Sequence, residues 1–292
     1  MKSQIVKIPA TQWQLSATDP NWIDALEQGK VLYFPSLPFT LSADEQTLLT
    51  PEVLKENVRN ISLAADNKLT GATGNEHTQV LLTKMLKRYR TQAEQLVHSL
   101  LPKYQGALRN APTSPTSYRP KKVEARKQSW RADDRRMHVD AFPSRPNRGE
   151  RILRVFSNIN PEGVPRVWRV GEPFADMVET MLPRTKPYVH WQAKALNKLG
   201  ITKSLRSEYD HLMLQLHDSM KADMQYQKEA KQVRMPFAPG SVWVCFSDHA
   251  LHGVESGQYM MEQTFHIAPE KQYNQNLSPL AHLTEVMQRR LV

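Results

Sequence analysis

The sequence has little cysteine and no long apolar run: of 292 residues only Cys245 carries a thiol. A single cysteine excludes an intramolecular disulfide framework and is typical of a reducing compartment. No apolar run reaches the roughly 18 residues that a membrane-spanning helix needs. The first residues, MKSQIVKIPATQWQLS, reach polar positions too soon for the apolar core of a signal peptide. We therefore expect a globular protein of the cytoplasm.

Acidic residues are also scarce, with 29 Asp and Glu against 39 Lys and Arg and a net charge of +10. This balance favours an anionic partner, which could be nucleic acid, an anionic membrane surface or a phosphorylated substrate. The excess is concentrated between Tyr118 and Arg154, where twelve Lys or Arg face five acids. Charge alone does not choose among these partners. Any single Lys or Arg of this run is also explained by a position on a solvent-exposed surface with no binding role.

Residues from about 1 to 110 form a mixed α/β portion by their pattern. The stretch GKVLYFPSLPF predicts a strand that prolines end. From His77 to Leu101, apolar residues recur at steps of three and four. This spacing predicts a long amphipathic helix that covers a core.

The rest of the chain alternates strand-like and helical stretches. Residues from about 171 to 232 predict three helical blocks, which we interpret as an insert, and LAHLTEVMQRRL predicts a last helix. Five further stretches predict strands: SYRPKKVEARKQ, RRMHVDAF, RILRVFSNINP, VRMPFAPGSVWVCFS and QYMMEQTFHIA. The late strands need the earlier ones as pairing partners, so we expect one domain over residues 1–292.

Two metal-capable side chains stand two residues apart in His138-Val139-Asp140. In an extended strand, residues i and i+2 project from the same face, so both could reach one ion. A distant histidine would complete a set of two imidazoles and one carboxylate with open positions, which suits Fe(II). Both His249 and His252 are available for this place.

A resemblance to a known sequence motif decides between His249 and His252. The pattern of a Gly-started apolar strand, then Phe, five residues, His, one residue and Val, is similar to the distal metal motif of 2-oxoglutarate-dependent oxygenases. It selects His252 and leaves His249 in the turn. More closely, HVDAFPSRPNRGERILRVFSNINPEGVPRVWRVGEPF and SDHALHGVESGQYMMEQTFHI resemble the bacterial Kdo hydroxylases, which act on 3-deoxy-D-manno-octulosonic acid (Kdo) of lipopolysaccharide. The resemblance covers essentially the whole chain.

The resemblance implies an α+β fold, with a double-stranded β-helix core of the jelly-roll or cupin-like type, flanking helices and the helical insert. It implies hydroxylation of Kdo at C3 to D-glycero-D-talo-oct-2-ulosonic acid, with Fe(II), 2-oxoglutarate and O2 consumed and succinate and CO2 released. Fe(II) and 2-oxoglutarate are the expected cofactors, with ascorbate as a reductant in assays. The metal ligands implied are His138, Asp140 and His252.

The expected cation for the far carboxylate of 2-oxoglutarate is not where many oxygenases of this superfamily carry it. Positions 262–267 read Glu-Gln-Thr-Phe-His-Ile and hold no Lys or Arg. A desolvated carboxylate still needs a partner, and arginine matches it best. We expect Arg154 in this role, with Asn158 beside it on the same strand face and Gln263 and Thr264 as hydrogen-bonding groups.

Kdo is a carboxylated sugar, and in lipid-linked form it lies above phosphates at a membrane. A basic rim around the metal fits this ligand, and the candidate substrate residues are Arg131, Arg135, Arg136, Arg145, Arg148 and Trp168. We expect peripheral contact with the anionic inner membrane, through charge and without an apolar anchor. No nucleic acid partner is expected, and the sequence does not allow a protein partner to be inferred.

Two alternatives stay open at this level. One is a 2-oxoglutarate oxygenase that acts on nucleic acid, because the positive charge suits phosphate backbones equally well. The other is a non-catalytic basic binding protein in which the three residues are ordinary core residues or hold structural zinc. Structural zinc prefers four ligands and sulfur, and Cys245 is the only thiol.

Overall fold

A large, mostly antiparallel sheet is the main element of the structure, a computed structural model that describes residues 3–109, 115–124 and 128–292. In chain order, the strands of these residues are β1 (Ile5–Lys7), β2 (Val31–Phe34), β3 (Ile61–Leu63), β4 (Leu69–Thr70), β5 (Leu108–Arg109), β6 (Thr116–Arg119), β7 (Arg151–Asn158), β8 (Arg166–Gly171), β9 (Gln232–Phe237), β10 (Val242–Phe246), β11 (His252–Ser256) and β12 (Met260–Ile267). The α-helices are α1 (Pro20–Glu27), α2 (Ala43–Gln46), α3 (Glu76–Leu100), α4 (Phe174–Met181), α5 (His190–Lys198), α6 (Glu208–Ala222), α7 (Met224–Glu229) and α8 (Pro279–Met287).

The large sheet has nine strands in the order β1-β2-β10-β7-β12-β6-β3-β4, with β5 paired to β12 off this path. Only the β1–β2 pair is parallel among the pairings of the described residues. In the β7–β12 pair, Arg154 lies opposite Thr264, and Phe156 lies opposite Glu262. Opposite residues of an antiparallel pair project to the same face, so these four side chains share one side of the sheet.

A second sheet, in the order β11-β8-β9, packs on that side. Phe156 and Trp243 come from the large sheet and meet Trp168 and Phe237 from the small one, with ring centroids 4.2 to 5.6 Å apart. These rings are largely buried and form one apolar cluster between the sheets. The site described below therefore lies where the two sheets face each other.

Helix α3 covers the opposite side of the large sheet. Its eight buried residues, among them Leu82, Tyr89 and Leu100, join the largest apolar cluster of the protein. The Tyr89 hydroxyl donates to the Val155 carbonyl of β7 at 3.1 Å. The amphipathic helix predicted from His77 to Leu101 is thus confirmed, one residue earlier at each end.

Helices α4 to α7 lie between β8 and β9 in the chain, within the stretch predicted to be helical. Apolar residues of α4, α6 and α8 pack together with Met137 and Val139, which flank His138. This cluster holds the His138 segment from the side away from the sheets. Among the described residues, no helix is both long and apolar enough to cross a bilayer.

Two of the predicted strands are absent or shorter in the structure. The stretch RRMHVDAF forms no strand, because only His138 makes a bridge, opposite His252. In SYRPKKVEARKQ the strand ends at Arg119, immediately before Pro120, whose missing N–H cannot continue a ladder. Arg126 and Lys127 of the basic run lie outside the described residues.

Candidate metal centre and its cavities

His138 and His252 lie directly opposite each other. The His138 N–H donates to the His252 carbonyl and the His252 N–H donates to the His138 carbonyl, each at 2.9 Å. Their rings are 4.5 Å apart between centroids. The approach depends on Gly253, because a Cβ at that position would lie 2.9 Å from the Arg135 carbonyl oxygen.

Asp140 joins these two histidines. Its N–H donates to the Ser247 carbonyl at 2.8 Å, which ties it to the turn before His252. Asp140 Oδ1 lies 3.7 Å from His138 Nε2. One potential ligand atom from each of the three residues lies within 4.8 Å of the other two, so a single ion could contact all three.

Backbone carbonyls set the orientation of both rings. His138 Nδ1 lies 2.7 Å from the Arg136 carbonyl, and His252 Nδ1 lies 2.9 Å from the Ala250 carbonyl. A neutral imidazole that donates from Nδ1 keeps its lone pair on Nε2, the arrangement usual for metal-ligating histidine. Burial lowers the pKa of both histidines, which favours this neutral form.

Asp140 is ionised, whereas the two histidines are neutral. Burial alone would raise its pKa, but the neighbouring Arg154 guanidinium lowers the pKa of Asp140 below its usual range. An ionised carboxylate between two neutral imidazoles is a ligand set for a divalent transition metal. His249 lies outside it: its Nδ1 accepts from Arg151 at 3.2 Å, and its ring contacts Phe174.

A cavity of about 210 Å³, here called the metal cavity, opens beside the three residues. Besides them, charged and aromatic side chains from both sheets and from neighbouring loops line it: Arg59, Arg119, Arg154, Arg166, Asp134, Glu262, Phe142, Phe156 and Trp168. Trp168 is almost fully buried, and its ring stacks on His252 with centroids 4.9 Å apart. The cavity thus has an aromatic wall beside His252 and arginines around it.

Arg154, the predicted cosubstrate residue, lies in the metal cavity between two carboxylates. Its NH2 group is 2.9 Å from Asp140 Oδ2, and its NH1 group is 2.7 Å from Glu262 Oε1. Burial alone would lower the pKa of Arg154, but Asp140 and Glu262 raise it above its usual value. The guanidinium therefore stays charged next to the proposed metal ligand.

Arg119 and Arg166 reach the same cavity but were not singled out from the sequence. Arg119 NH2 lies 2.8 Å from Glu262 Oε2, and Arg166 is 1% exposed and donates to the Gly257 carbonyl at 3.1 Å. Residues of a strand alternate between its two faces, so the face of Arg119 becomes known only from the pairing of β6 with β12. The sequence alone does not give this pairing. His217 was missed too, and its ring centroid lies 5.6 Å from that of His138.

Asn158 and Gln263 do not reach the metal cavity, contrary to the prediction. The Asn158 amide donates to the Val164 and Phe237 carbonyls at 3.1 and 3.0 Å, so its hydrogen bonds fix a turn instead. Gln263 lies on the opposite face of β12 from Glu262 and Thr264, because neighbouring residues of a strand alternate. It accepts from the Thr116 hydroxyl at 2.6 Å, and its neighbours on that face belong to the main core.

A second cavity of about 230 Å³, here called the side cavity, adjoins the first. The two share Asn60, Arg119, Phe142, Arg154 and Glu262. Polar groups complete the side cavity: Ser117, Arg145, Asn147, Glu150, Thr264 and His266. The predicted residues Thr264 and Arg145 are therefore both here, next to Arg154.

Four of the arginines predicted to bind substrate line neither cavity. Arg131 pairs with Asp218 at 3.0 Å, and Arg135 pairs with Asp133 at 2.8 Å. Arg136 donates to the Lys221 carbonyl at 2.5 Å. Arg148 lines a separate surface depression near the C-terminus. Local ion pairs and backbone contacts hold the first three, so closeness in sequence to His138 was a poor guide to their position.

Two mostly antiparallel sheets hold two histidines and a carboxylate beside an arginine-rich cavity. With the likeness to solved structures given below, this combination defines a class, the non-haem Fe(II) and 2-oxoglutarate-dependent dioxygenases. Within it, the chain belongs to the 3-deoxy-D-manno-oct-2-ulosonic acid (Kdo) hydroxylase family, whose model matches residues 10–290.

Solved structures of the Kdo hydroxylase KdoO, a non-haem Fe(II) α-ketoglutarate-dependent dioxygenase, are similar to this chain. The complex with α-ketoglutarate and Fe(III) is 42% identical, covers 99% of this chain and 97% of its own, and gives a TM-score of 0.93. The cobalt(II) complex is 41% identical over 99% and 98%, with a TM-score of 0.94. The complex with succinate and Fe(III) is 41% identical over 99% and 98%, with a TM-score of 0.93. No curated protein sequence matches the chain.

Proposed function

We propose that this protein hydroxylates C3 of Kdo in the inner core of lipopolysaccharide, on a Kdo-lipid A type substrate. The product is D-glycero-D-talo-oct-2-ulosonic acid, and 2-oxoglutarate and O2 are converted to succinate and CO2. The observation that carries this proposal is the likeness to KdoO, 42% identical over 99% of the chain and solved with α-ketoglutarate and iron. The grouping of His138, Asp140 and His252 is the local support.

His138, Asp140 and His252 would hold Fe(II). Their fit is visible in the two Nδ1 contacts with backbone carbonyls, which leave both Nε2 atoms for a metal, and in the ionised carboxylate beside them. Three protein ligands leave room for a bidentate cosubstrate and O2. When bound, iron and 2-oxoglutarate supply the oxygen activation that replaces a C–H bond with C–OH.

Arg154, Arg119 and Arg166 would hold the carboxylates of 2-oxoglutarate. Among the described residues, the lining of the metal cavity has four arginines and three carboxylates, so a divalent ion raises the excess of this set to three positive charges. A dianionic cosubstrate offsets two of these. The remaining charge suits the carboxylate of Kdo, and charge-assisted contacts of arginine with carboxylates are among the strongest that a buried site offers. Trp168 would exclude water beside His252.

The side cavity would take the Kdo sugar. It adjoins Arg154 and Glu262, and it offers hydroxyl, amide and guanidinium groups to a polyhydroxylated acid. Arg145 is the predicted substrate residue that remains well placed there. Thr264 lies in the same cavity and so is better placed for substrate than for cosubstrate.

The fold and its extent are part of the proposal. We interpret the two facing sheets as a double-stranded β-helix of the jelly-roll type, because antiparallel strands enclose the candidate site from two sides. One domain over residues 1–292 is supported by β1 to β4, which extend the same large sheet. The helices between β8 and β9 are then an insert in that domain.

A cytoplasmic location, peripheral to the inner membrane, is consistent with this chemistry. The substrate is a lipid-linked anion, 2-oxoglutarate is a cytoplasmic metabolite, and the net charge of +10 favours an anionic surface. Fractionation of cells should recover the protein with membranes at low salt and release part of it at high salt, because salt screens such contacts.

The test is turnover with purified, iron-loaded protein. Kdo-containing lipid, 2-oxoglutarate and ascorbate in air should give the lipid a mass gain of one oxygen atom, with succinate released in equal amount. Single-stranded nucleic acid serves as the competing substrate. Coupled turnover with nucleic acid alone would overturn the proposal.

A further inference from the structure

The segment around α5 exposes large apolar side chains. Trp191 is 69% exposed, Leu199 73% and Ile201 54%. Ala193, on the opposite side of the helix from Trp191, is buried at 3%, so α5 packs on the protein through Ala193 and turns Trp191 outward. Scattered exposed apolar residues are normal, but three within eleven positions form a patch that calls for an explanation.

Basic residues surround these side chains. From Thr180 to Ser207 the sequence has six Lys or Arg and no acid. Lys186, Lys194, Lys198 and Lys203 are exposed, and Arg184 pairs with Asp223. We call the set of Trp191, Leu199, Ile201, Lys186, Lys194, Lys198 and Lys203 the α5 patch.

The α5 patch is attached to the loop that lines the side cavity. The Lys203 N–H donates to the Ser144 carbonyl at 2.8 Å, and the Arg206 guanidinium donates to the Pro143 carbonyl at 2.6 Å. The flanking residues Phe142 and Arg145 line the cavity itself, and Phe142 is 36% exposed. The patch and the cavity are therefore joined through a single loop, residues 142–145.

We propose that the α5 patch docks on an anionic phospholipid bilayer. Trp191, Leu199 and Ile201 enter the interfacial layer, and the lysines lie over lipid phosphates. Exposed apolar side chains next to lysines bind anionic membrane surfaces in this way, and two weak signals together give stable attachment. The docking itself does not depend on the proposed function. Its role does rest on that function, because docking would present the side cavity to a lipid-linked sugar. It adds an apolar contribution to the contact expected from charge alone.

Vesicle sedimentation tests the docking without reference to activity. Full-length protein should bind vesicles of phosphatidylcholine with phosphatidylglycerol. The triple variant Trp191→Ala, Leu199→Ala, Ile201→Ala should bind at least about tenfold more weakly, because the interfacial side chains are removed. The double variant Lys194→Glu, Lys198→Glu should bind the anionic vesicles more weakly. Its binding to vesicles of pure phosphatidylcholine should be unchanged. All five side chains are exposed, so the fold should survive, which circular dichroism checks.

The matched control is Val80→Ala with Val286→Ala, two exposed apolar residues, each 46% exposed, on other helices. This variant should bind vesicles as the unchanged protein does. Equal binding by the triple variant would overturn the proposal. So would self-association that the triple variant abolishes in a protein that does not bind vesicles, because the patch would then join two copies of the chain.

Turnover separates this proposal from the proposed function. The triple variant should hydroxylate a short, water-soluble Kdo glycoside at the normal rate and lose activity on Kdo-lipid in vesicles. Vesicle binding that depends on the patch in a protein that hydroxylates no Kdo compound would leave the docking supported and the proposed function wrong. Loss of turnover on the soluble glycoside in the triple variant would contradict a docking role.

Discussion

His138 and His252 exchange both backbone hydrogen bonds, each at 2.9 Å, although 114 positions separate them in the sequence. The pairing fixes the two imidazoles at the same depth, and the carbonyls of Arg136 and Ala250 then orient the rings. The metal centre that we propose thus depends on one short backbone contact between distant segments.

Gly253→Ala tests this contact. The added Cβ would lie 2.9 Å from the Arg135 carbonyl, so the segment of His138 must move away from β11. We expect metal affinity to fall at least about tenfold, because displaced ligands lose their shared position. Titration with cobalt(II), followed by its visible absorption, measures this. Ser256→Ala, at the other end of β11, is the control, and equal affinity of both variants would show that the contact is not needed.

Arg154→Lys tests the cosubstrate residue. Lysine keeps the charge but cannot contact Asp140 and Glu262 together as the guanidinium does at 2.9 and 2.7 Å. We expect the KM for 2-oxoglutarate to rise at least about tenfold while the protein still folds. Succinate release over a range of 2-oxoglutarate concentrations gives this value. Arg131→Lys, whose partner Asp218 lies outside both cavities, should leave the KM unchanged; a normal KM in Arg154→Lys would remove Arg154 from the cosubstrate site.

Glu262 should contribute to the acid sensitivity of the fold. Burial alone would raise its pKa, but Arg119 and Arg154 lower the pKa of Glu262 below the ordinary value of 4.5. The folded state then binds fewer protons than the unfolded state, so the stabilisation is present above about pH 4.5 and is lost as the pH falls through the folded pKa. Glu262→Gln should lower the free energy of unfolding at neutral pH and flatten its decline in acid. Urea titrations at several pH values measure both, with the exposed Glu56→Gln as control; an unchanged acid slope would contradict this account.

Arg151 should be a large contributor to stability. It is fully buried, donates to Asp248 at 2.9 Å and lies over the Phe246 ring at 3.8 Å. Arg151→Ala leaves the buried Asp248 carboxylate, in the turn before His252, without its cation and with the Ile152 N–H as a remaining donor. This loss should cost about 3–5 kcal/mol in the free energy of unfolding. Arg234→Ala removes an exposed pair with Glu255, also at 2.9 Å, and should cost less than about 1 kcal/mol. Denaturant unfolding compares the two, and similar costs would contradict the role of burial.

The sequence predicted the elements whose pattern is local. Helix α3 follows from its apolar spacing, and β7, β10 and β12 follow from their apolar runs. The choice of His252 over His249 needed the family motif, and the structure places His249 against Arg151. His138 and Asp140 were paired by strand alternation, yet their segment is no strand, and tertiary contacts with β11 and Ser247 position them instead.

Strand register explains what sequence alone could not give. Gln263 and Thr264 are neighbours in one strand, so they could not share a face, and the core face of β12 was unknown before its pairing. Arg119 enters the cavity because β6 pairs with β12, a contact between distant segments. Arg131 and Arg135 were chosen for closeness in sequence to His138, but nearby carboxylates hold their side chains elsewhere.

Turnover in ¹⁸O-labelled O2 tests the central claim most directly. Iron-loaded protein, 2-oxoglutarate and Kdo-lipid should yield one labelled oxygen in the sugar and one in succinate. The label should be absent with His252→Ala and still present with His249→Ala. No label in the sugar with the unchanged protein, or a label with His252→Ala that is lost with His249→Ala, would contradict the account.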